Sequence, residues 1–237
     1  RTFAFERAIL ATGSRPASLP FLEPNGAEVI THIEALDLEA PPRSLIVVGA
    51  GAVGLEFGVI FSRLGTEVTV LEMMPTVLPG MDRQLAMRLE RLLKKQGLNI
   101  QTGMRLEAAE VDGGAARLRG TNQKTQAPFE LAAEKVLLAT GRKPNSESLR
   151  ADAPDFRDPA GFVRVSSRLE TAVPGVYAIG DLIGGKLLAH KAEHEGLLAA
   201  ENAAGGSLEM EHDSLPMSVF TEPEYAAVGL SDEDAKA

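Results

Sequence analysis

The sequence predicts an α/β protein with a parallel sheet, and three observations carry that prediction. An apolar run from Ser44 to Val48 passes through a glycine-rich turn (Gly49-Ala50-Gly51-Ala52-Val53-Gly54) into a helical pattern, then into a second apolar run closed by Glu72. Two further runs, ILATGSRP at Ile9 to Pro16 and LLATGRKP at Leu137 to Pro144, end in the same glycine turn. A fifth run, Val176 to Ile179, stops at Gly180-Asp181 before another helical stretch. Strands alternating with helices make parallel sheets, because each crossover returns the chain to the same end of the sheet.

Each element has its own cause. Arg7 to Pro16 reads as a short buried strand ending in a glycine turn. The prolines that follow (Pro16, Pro20, Pro24, Pro41, Pro42) read as a linker between domains. After the strand at Ser44, the helix is expected to bury Val53, Phe57, Ile60, Phe61 and Leu64. Asp82 stands before a second helix with Leu85, Leu89, Leu92 and Leu93 on one face. Lys94 and Lys95 suit its last turn and Gly97 the position past its end. Ile100 to Leu131 alternates weakly around a turn at Asp112-Gly113-Gly114, which predicts short antiparallel strands. Val136 to Ala139 is another buried strand, and a helix begins near Leu187. The two ATG runs share five of eight residues, which suggests two related nucleotide-binding domains.

The glycine loop carries the chemistry. Gly49 permits the tight turn, Gly51 lets backbone approach a pyrophosphate, and Gly54 lets the helix pack closely on the strand. The pyrophosphate then rests on the free amides of the helix N-terminus. A bare GxGxxG is weak, and the bland reading is a tightly packed strand and helix with nothing bound. Here the motif follows a strand, opens a helix, and is answered by an acid at about the expected twenty-residue distance. Glu72 can accept hydrogen bonds from ribose hydroxyls and would repel a 2′-phosphate. It is followed by Met73 and Met74, not arginine, so the site reads as NAD rather than NADP. The bland reading of Glu72 is a solvated strand-end acid.

Composition sets outer limits. The 237 residues have room for one large domain or two of ordinary size. With 24 basic against 33 acidic residues the net charge is −9, which argues against nucleic acid or an anionic membrane as partner. No apolar run approaches the roughly 20 residues of a bilayer span. The chain holds no cysteine, so disulfides, thiolate metal sites and cysteine nucleophiles are excluded within it. A cytoplasmic location fits that composition. The start at Arg1, directly before a strand-like segment, raises the expectation of a fragment, a processed product or a trimmed chain.

These motifs together resemble the flavoprotein disulfide reductase family. The resemblance rests on GAGAVGLE at Gly49, the two ATG strand ends, TAVPGVYAIGD at Thr171, LAHKAEHEG at Leu188 and FTEPEYAAVG at Phe220. It covers essentially the whole chain, and Ala189 to Gly196 favours the dihydrolipoamide dehydrogenase branch, which usually has Glu where this chain has His194. The resemblance implies a Rossmann-like NAD-binding domain at 28–146, inserted in a partial FAD-binding domain at 1–27 and 147–212. Residues 213–237 would then open an α+β dimerisation domain. It implies electron transfer from dihydrolipoamide through a disulfide and flavin to NAD. The partner would be the dihydrolipoyl domain of a 2-oxoacid dehydrogenase complex, and the parent protein a homodimer. A transhydrogenase, a mercuric or glutathione reductase-like enzyme, or a non-catalytic dinucleotide-binding module stays open beside it.

Residue by residue, the resemblance makes Gly49, Ala50, Gly51, Ala52, Val53, Gly54, Leu55 and Glu56 the NAD loop, with Glu56 near the nicotinamide. Glu72 becomes the ribose acid, Leu106 an adenine contact and Gly141 a backbone contact to NAD. Thr12, Gly13 and Ser14 match a FAD contact, and Asp181 the acid for a ribityl hydroxyl. Leu187, Leu188, Ala189 and His190 match the helix start beside the flavin. Full-length members also carry a first GxGxxG, a CxxxxC disulfide and a C-terminal His-Glu pair, none of which occurs here. The catalytic residues are therefore expected outside this chain, which should bind little flavin and should not dimerise in the native way.

Bland readings hold elsewhere. His190 and His194 have a zinc-compatible spacing, but no third ligand accompanies them, so no metal is expected. His32 and His212 read as surface histidines in polar connections. Glu193, Glu195 and Glu201 read as a solvated helical face.

Overall fold

The computed structural model describes residues 4–149 and 156–236, which divide into two compact units. One unit comprises residues 4–15, 142–149 and 156–217; the other comprises 16–141 and 218–236.

The larger unit is built on a five-stranded parallel sheet. Its strands are β3 (Val29–Ile30), β4 (Ser44–Val48), β5 (Glu67–Glu72), β6 (Asn99–Thr102) and β10 (Lys135–Leu138), in the spatial order β3-β10-β4-β5-β6. The register aligns Leu137 with Val47, and Val47 with Val70. Both faces are covered, so the strands read as continuous apolar runs. Leu45 and Val47 point to one face with Leu55, Val59 and Leu93, whereas Ile46 and Val48 point to the other with Ala116, Leu118 and Met104. Burying each such Leu or Val fully stabilises by about 1.5–3 kcal/mol.

Helices α2 (Ala52–Arg63) and α3 (Arg83–Lys95) contribute to the first face. The other is covered by an antiparallel meander of β7 (Met104–Asp112), β8 (Ala115–Asn122) and β9 (Pro128–Ala133). Asp82 caps α3 by accepting from the Leu85 amide at 2.9 Å, and Lys94 and Lys95 fill the last turn.

Three sequence expectations shift in detail. In α2 the buried residues are Gly54, Leu55, Gly58, Val59 and Phe61, while Val53, Ile60 and Leu64 are exposed. The glycines bring the helix so close to the sheet that the small-residue side, not the bulkiest side, faces inward. In α3 the buried stripe is Ala86, Leu89 and Leu93, and Leu85 is exposed. Ile100 lies in the parallel strand β6, and the antiparallel strands start only at Met104.

The proline-rich stretch read as a linker contains real structure. β3 joins the sheet through Val29 and Ile30, both fully buried. A short helix α1 (His32–Leu36) follows, started by a capping box in which Thr31 accepts from the Ile33 amide and Glu34 accepts from the Thr31 amide at 2.7 Å. His32 is thus the first residue of a helix.

In the smaller unit, β1 (Ala8–Leu10) pairs in parallel with β12 (Val176–Ala178), placing Ile9 beside Tyr177. Helix α4 (Ala189–Ala203) packs there, with Leu198 and Ala199 joining Leu169, Tyr177, Met210 and Leu215 in one core cluster. Strands β2 (Ser14–Pro16) and β11 (Arg142–Pro144) form a two-stranded sheet where the chain passes between units. The last strands, β13 (Met217–Val219) and β14 (Tyr225–Ala227), make a further two-stranded sheet, and Val219 and Tyr225 enter the core of the larger unit.

Candidate functional site

The glycine loop sits at the carboxyl end of β4, where β4 hands over to α2, as expected for a ligand crevice in an open α/β sheet. Each glycine has a separate physical reason. Gly49 has φ +106°, and a Cβ there would stand 2.3 Å from the Ala139 carbonyl oxygen. A Cβ on Gly54 would stand 1.9 Å from the Gly49 carbonyl oxygen. Gly51 is different. Its φ of −73° suits any residue, and a Cβ would meet no atom within 4 Å. Among the described residues nothing fills the space beside Gly51, and no side chain caps the first turn of α2. The loop therefore offers a free cradle of first-turn amides, which fits a pyrophosphate.

Glu72, at the end of β5, is 7% exposed and turned toward this loop. One carboxylate oxygen accepts from the Ala50 amide and the other from the Met74 amide, each at 2.8 Å. Every carboxylate oxygen has a second lone pair, so both stay competent to accept from ribose hydroxyls. Ala50 in turn accepts from the Leu78 amide at 2.9 Å. Glu56, in the second turn of α2, accepts from the Phe220 amide at 2.9 Å. Leu106 lies half-buried on β7 and packs against the second face of the sheet. Gly141 has φ +110°, and its carbonyl accepts from the Ala17 amide at 3.0 Å.

In the smaller unit a second group of side chains converges on Asp181, directly after β12. Ser14 Oγ donates to the Asp181 carboxylate, and Arg142 Nε donates to Ser14 Oγ at 2.6 Å while lying 3.4 Å from the same carboxylate. Arg142 Nη2 also donates to the Ser14 carbonyl at 3.0 Å. Thr12 and Asn145 exchange two bonds: Thr12 Oγ1 donates to the Asn145 carbonyl at 2.8 Å, and Asn145 Nδ2 to the Thr12 carbonyl at 2.9 Å. Gly13, at φ +69°, accepts from the Asn145 amide. Leu187 and Leu188 precede α4, Ala189 and His190 begin it, and no side chain caps that end either. His190 Nε2 lies 2.9 Å from the Pro216 carbonyl. Asp181, an uncapped helix start and a left-handed glycine fit a hydroxyl-rich, anionic cofactor such as FAD.

Sequence reasoning missed several residues of the smaller unit. Arg142 stands inside the repeated LLATGRKP run and Asn145 directly after it, both read only as part of a strand end. Glu195 was read as solvated, yet it is fully buried together with Lys191. His212, read as a surface residue, places Nε2 2.9 Å from Glu195 Oε1. Glu193 and Glu201 do stay exposed. The Lys191/Glu195 spacing of four was a legible signal for a helical ion pair, though not for its burial.

Comparison with known proteins bears on both groups. Residues 1–196 match the family described as pyridine nucleotide-disulphide oxidoreductase. Similar curated proteins include a dihydrolipoyl dehydrogenase of Thermus scotoductus, 43% identical over 99% of this chain and 51% of its own length. Another is dihydrolipoyl dehydrogenase 2 of Haloarcula marismortui, 38% identical over 100% of this chain and 50% of its own length. Among solved structures, LpdA from Mycobacterium tuberculosis superposes with a TM-score of 0.85 at 31% identity, covering 96% of this chain and 49% of that one. The HOCl-induced flavoprotein disulfide reductase RclA from Escherichia coli gives 0.85 at 26% identity, covering 98% and 53%. The chain spans about half the length of the curated relatives it matches.

Proposed function

The chain belongs to the pyridine nucleotide-disulphide oxidoreductase family, and on that premise we propose that it carries the NAD site and part of the FAD site of a dihydrolipoyl dehydrogenase-like enzyme. Oxidoreduction with FAD and NAD is the family's chemistry. The specific reaction proposed takes electrons from dihydrolipoamide, through a disulfide and flavin, to NAD.

The observation that carries this reading is Gly51. It is a glycine that neither its backbone angle nor its neighbours require, at the mouth of a loop whose other two glycines the fold does require. The close approach it permits is to something the protein does not itself supply. In this reading the α2 amides receive the pyrophosphate and Glu72 accepts from the adenosine ribose. Glu56, held by the Phe220 amide, stands toward the nicotinamide end, with Leu106 and Gly141 as further NAD contacts. Thr12, Gly13, Ser14 and Asp181 contact FAD, and the amides from Leu187 to His190 face its ring. Bound FAD would supply a two-electron relay between a disulfide and NAD.

Residues 28–146 would be the NAD domain, 1–27 with 147–212 a partial FAD domain, and 213–237 the opening of a dimerisation domain. The chain has no cysteine, so in this reading the dithiol lies outside residues 1–237. The whole protein would serve the dihydrolipoyl domain of a 2-oxoacid dehydrogenase complex as a cytoplasmic homodimer. Among the described residues no helix is long and apolar enough to cross a membrane. The lack of cysteine also favours a rival reading, a dinucleotide-binding module without redox chemistry. The full native sequence separates the two, since a CxxxxC and a C-terminal His-Glu pair belong only to the enzyme.

Calorimetric titration with NADH and NADPH tests the site itself. NADH should bind measurably and more tightly than NADPH, and the purified chain should carry little flavin. Equal affinities, or tight retention of FAD, would show that the loop serves another cofactor.

A further inference from the structure

Lys191 and Glu195 are 1% and 0% exposed, an unusual position for two long charged side chains, which are rarely buried unless paired. They are paired, at 3.0 Å between Lys191 Nζ and Glu195 Oε1. A buried ion pair is a weak source of stability, since apolar replacements of the same volume often do as well or better. Besides each other and His212, what these two groups hold is a single residue, Gly180, through the peptide units on both sides of its α-carbon. The Gly180 amide donates to Glu195 Oε2 at 2.7 Å, and Lys191 Nζ donates to the Gly180 carbonyl at 3.1 Å. Gly180 has φ +71°, and its carbonyl belongs to the peptide bond that leads into Asp181.

Asp181 is therefore fixed twice. Ser14 and Arg142 hold its carboxylate, and the α4 pair clamps the backbone directly before it. The clamp also reaches outward. His212, with 44% of its side chain exposed, contacts the Glu195 oxygen on the other side, and both Lys191 and His212 line a cavity of about 500 Å3. The other charged groups lining that cavity are Asp158, Arg164, Lys186 and Asp213.

We infer that Lys191 and Glu195 are positioning residues: they hold the backbone on both sides of Gly180 so that the Asp181 carboxylate stands where the cofactor meets it. The inference rests on the reading of Asp181 as a FAD contact.

The test is nuclear magnetic resonance of the whole chain with the Gly180 amide and the Asp181 carboxyl as probes, beside a FAD titration. A double replacement, Lys191→Met with Glu195→Leu, keeps an apolar filling and thus the fold. It should speed Gly180 amide exchange at least tenfold and move the Asp181 carboxyl resonance. Gly180 exchange and an Asp181 resonance unchanged in the double variant overturn the clamp. The FAD arm tests the underlying reading separately. Asp181→Asn should weaken FAD at least tenfold, and the double variant should follow it. If Gly180 and Asp181 respond as expected while Asp181→Asn leaves FAD binding unaltered, the clamp stands and the flavin reading falls.

Discussion

Replacing Gly54 and Gly51 by alanine, one at a time, should separate packing from ligand approach within a single loop. At Gly54 the new Cβ would stand 1.9 Å from the Gly49 carbonyl oxygen and 3.2 Å from a Val47 methyl. An ordinary contact lies near 3.5 Å, so about 1.5 Å must be opened. The loop cannot yield it cheaply, because the Gly49 amide is bonded to the Leu71 carbonyl at 2.8 Å and its own α-carbon faces the Ala139 carbonyl. The N-terminus of α2 has to lift instead. Overpacking costs typically 1–3 kcal/mol, and a backbone obstacle belongs near the upper end, about 3 kcal/mol. With a urea slope of about 2 kcal/mol/M the midpoint should fall by about 1.5 M, and NADH binding should be lost with the displaced amides. Gly51→Ala meets no atom within 4 Å. Its stability should change by less than about 1 kcal/mol, the scale of a lost glycine N-cap, while NADH affinity drops at least tenfold. Urea denaturation and calorimetry on both variants read the two effects apart. If Gly51→Ala destabilises as much as Gly54→Ala, or binds NADH like the wild type, the division of roles is wrong.

Glu72→Ala should do two things, because Glu72 accepts from two backbone amides as well as facing the loop. Each amide left unpaired costs about 1–3 kcal/mol, so the urea midpoint should fall along with a ten- to hundredfold loss of NADH affinity; adding Met73→Arg should shift preference toward NADPH without restoring stability. Tyr225→Phe removes the hydroxyl that accepts from the Asp82 amide at 3.2 Å, and should cost about 0.5–1.5 kcal/mol in denaturation without altering NADH binding. Acid titration should reveal Glu34, whose carboxyl is held below its ordinary 4.5 by hydrogen bonds from the Thr31 side chain and backbone. A lowered folded pKa gives stability that is present above 4.5 and lost as pH falls through the lowered value; Thr31→Ala should flatten that part of the stability profile.

What the sequence revealed was what is local. The glycine loop, Glu72 and the caps of α3 are written in neighbouring residues, and the structure has the strand–turn–helix, the strand-end acid and the capped helix they imply. The miss at β3 and α1 arose because prolines on both sides masked a capping box, Thr31-His32-Ile33-Glu34, that was itself legible. The inward face of α2 was misread because apolar bulk was counted, whereas close packing selected Gly54 and Gly58. Glu195 could not be read at all. On a helix it is one acid among several, and only Gly180, distant in sequence, decides that this one is buried.

The pairing of β2 with β11 has a consequence for how the chain folds. β1 must find β12 across the whole of residues 16–141, and closing a loop costs entropy that rises with its length. Non-local pairing of that kind is slow. Once residues 16–141 have folded, however, the hydrogen bond from the Ala17 amide to the Gly141 carbonyl holds the two ends of that stretch together. The excursion then counts as a short connection, and what is left between that junction and β12 is residues 142–175. On loop-closure grounds a slowed collapse around the glycine loop should therefore delay a strand pair that contains none of its residues.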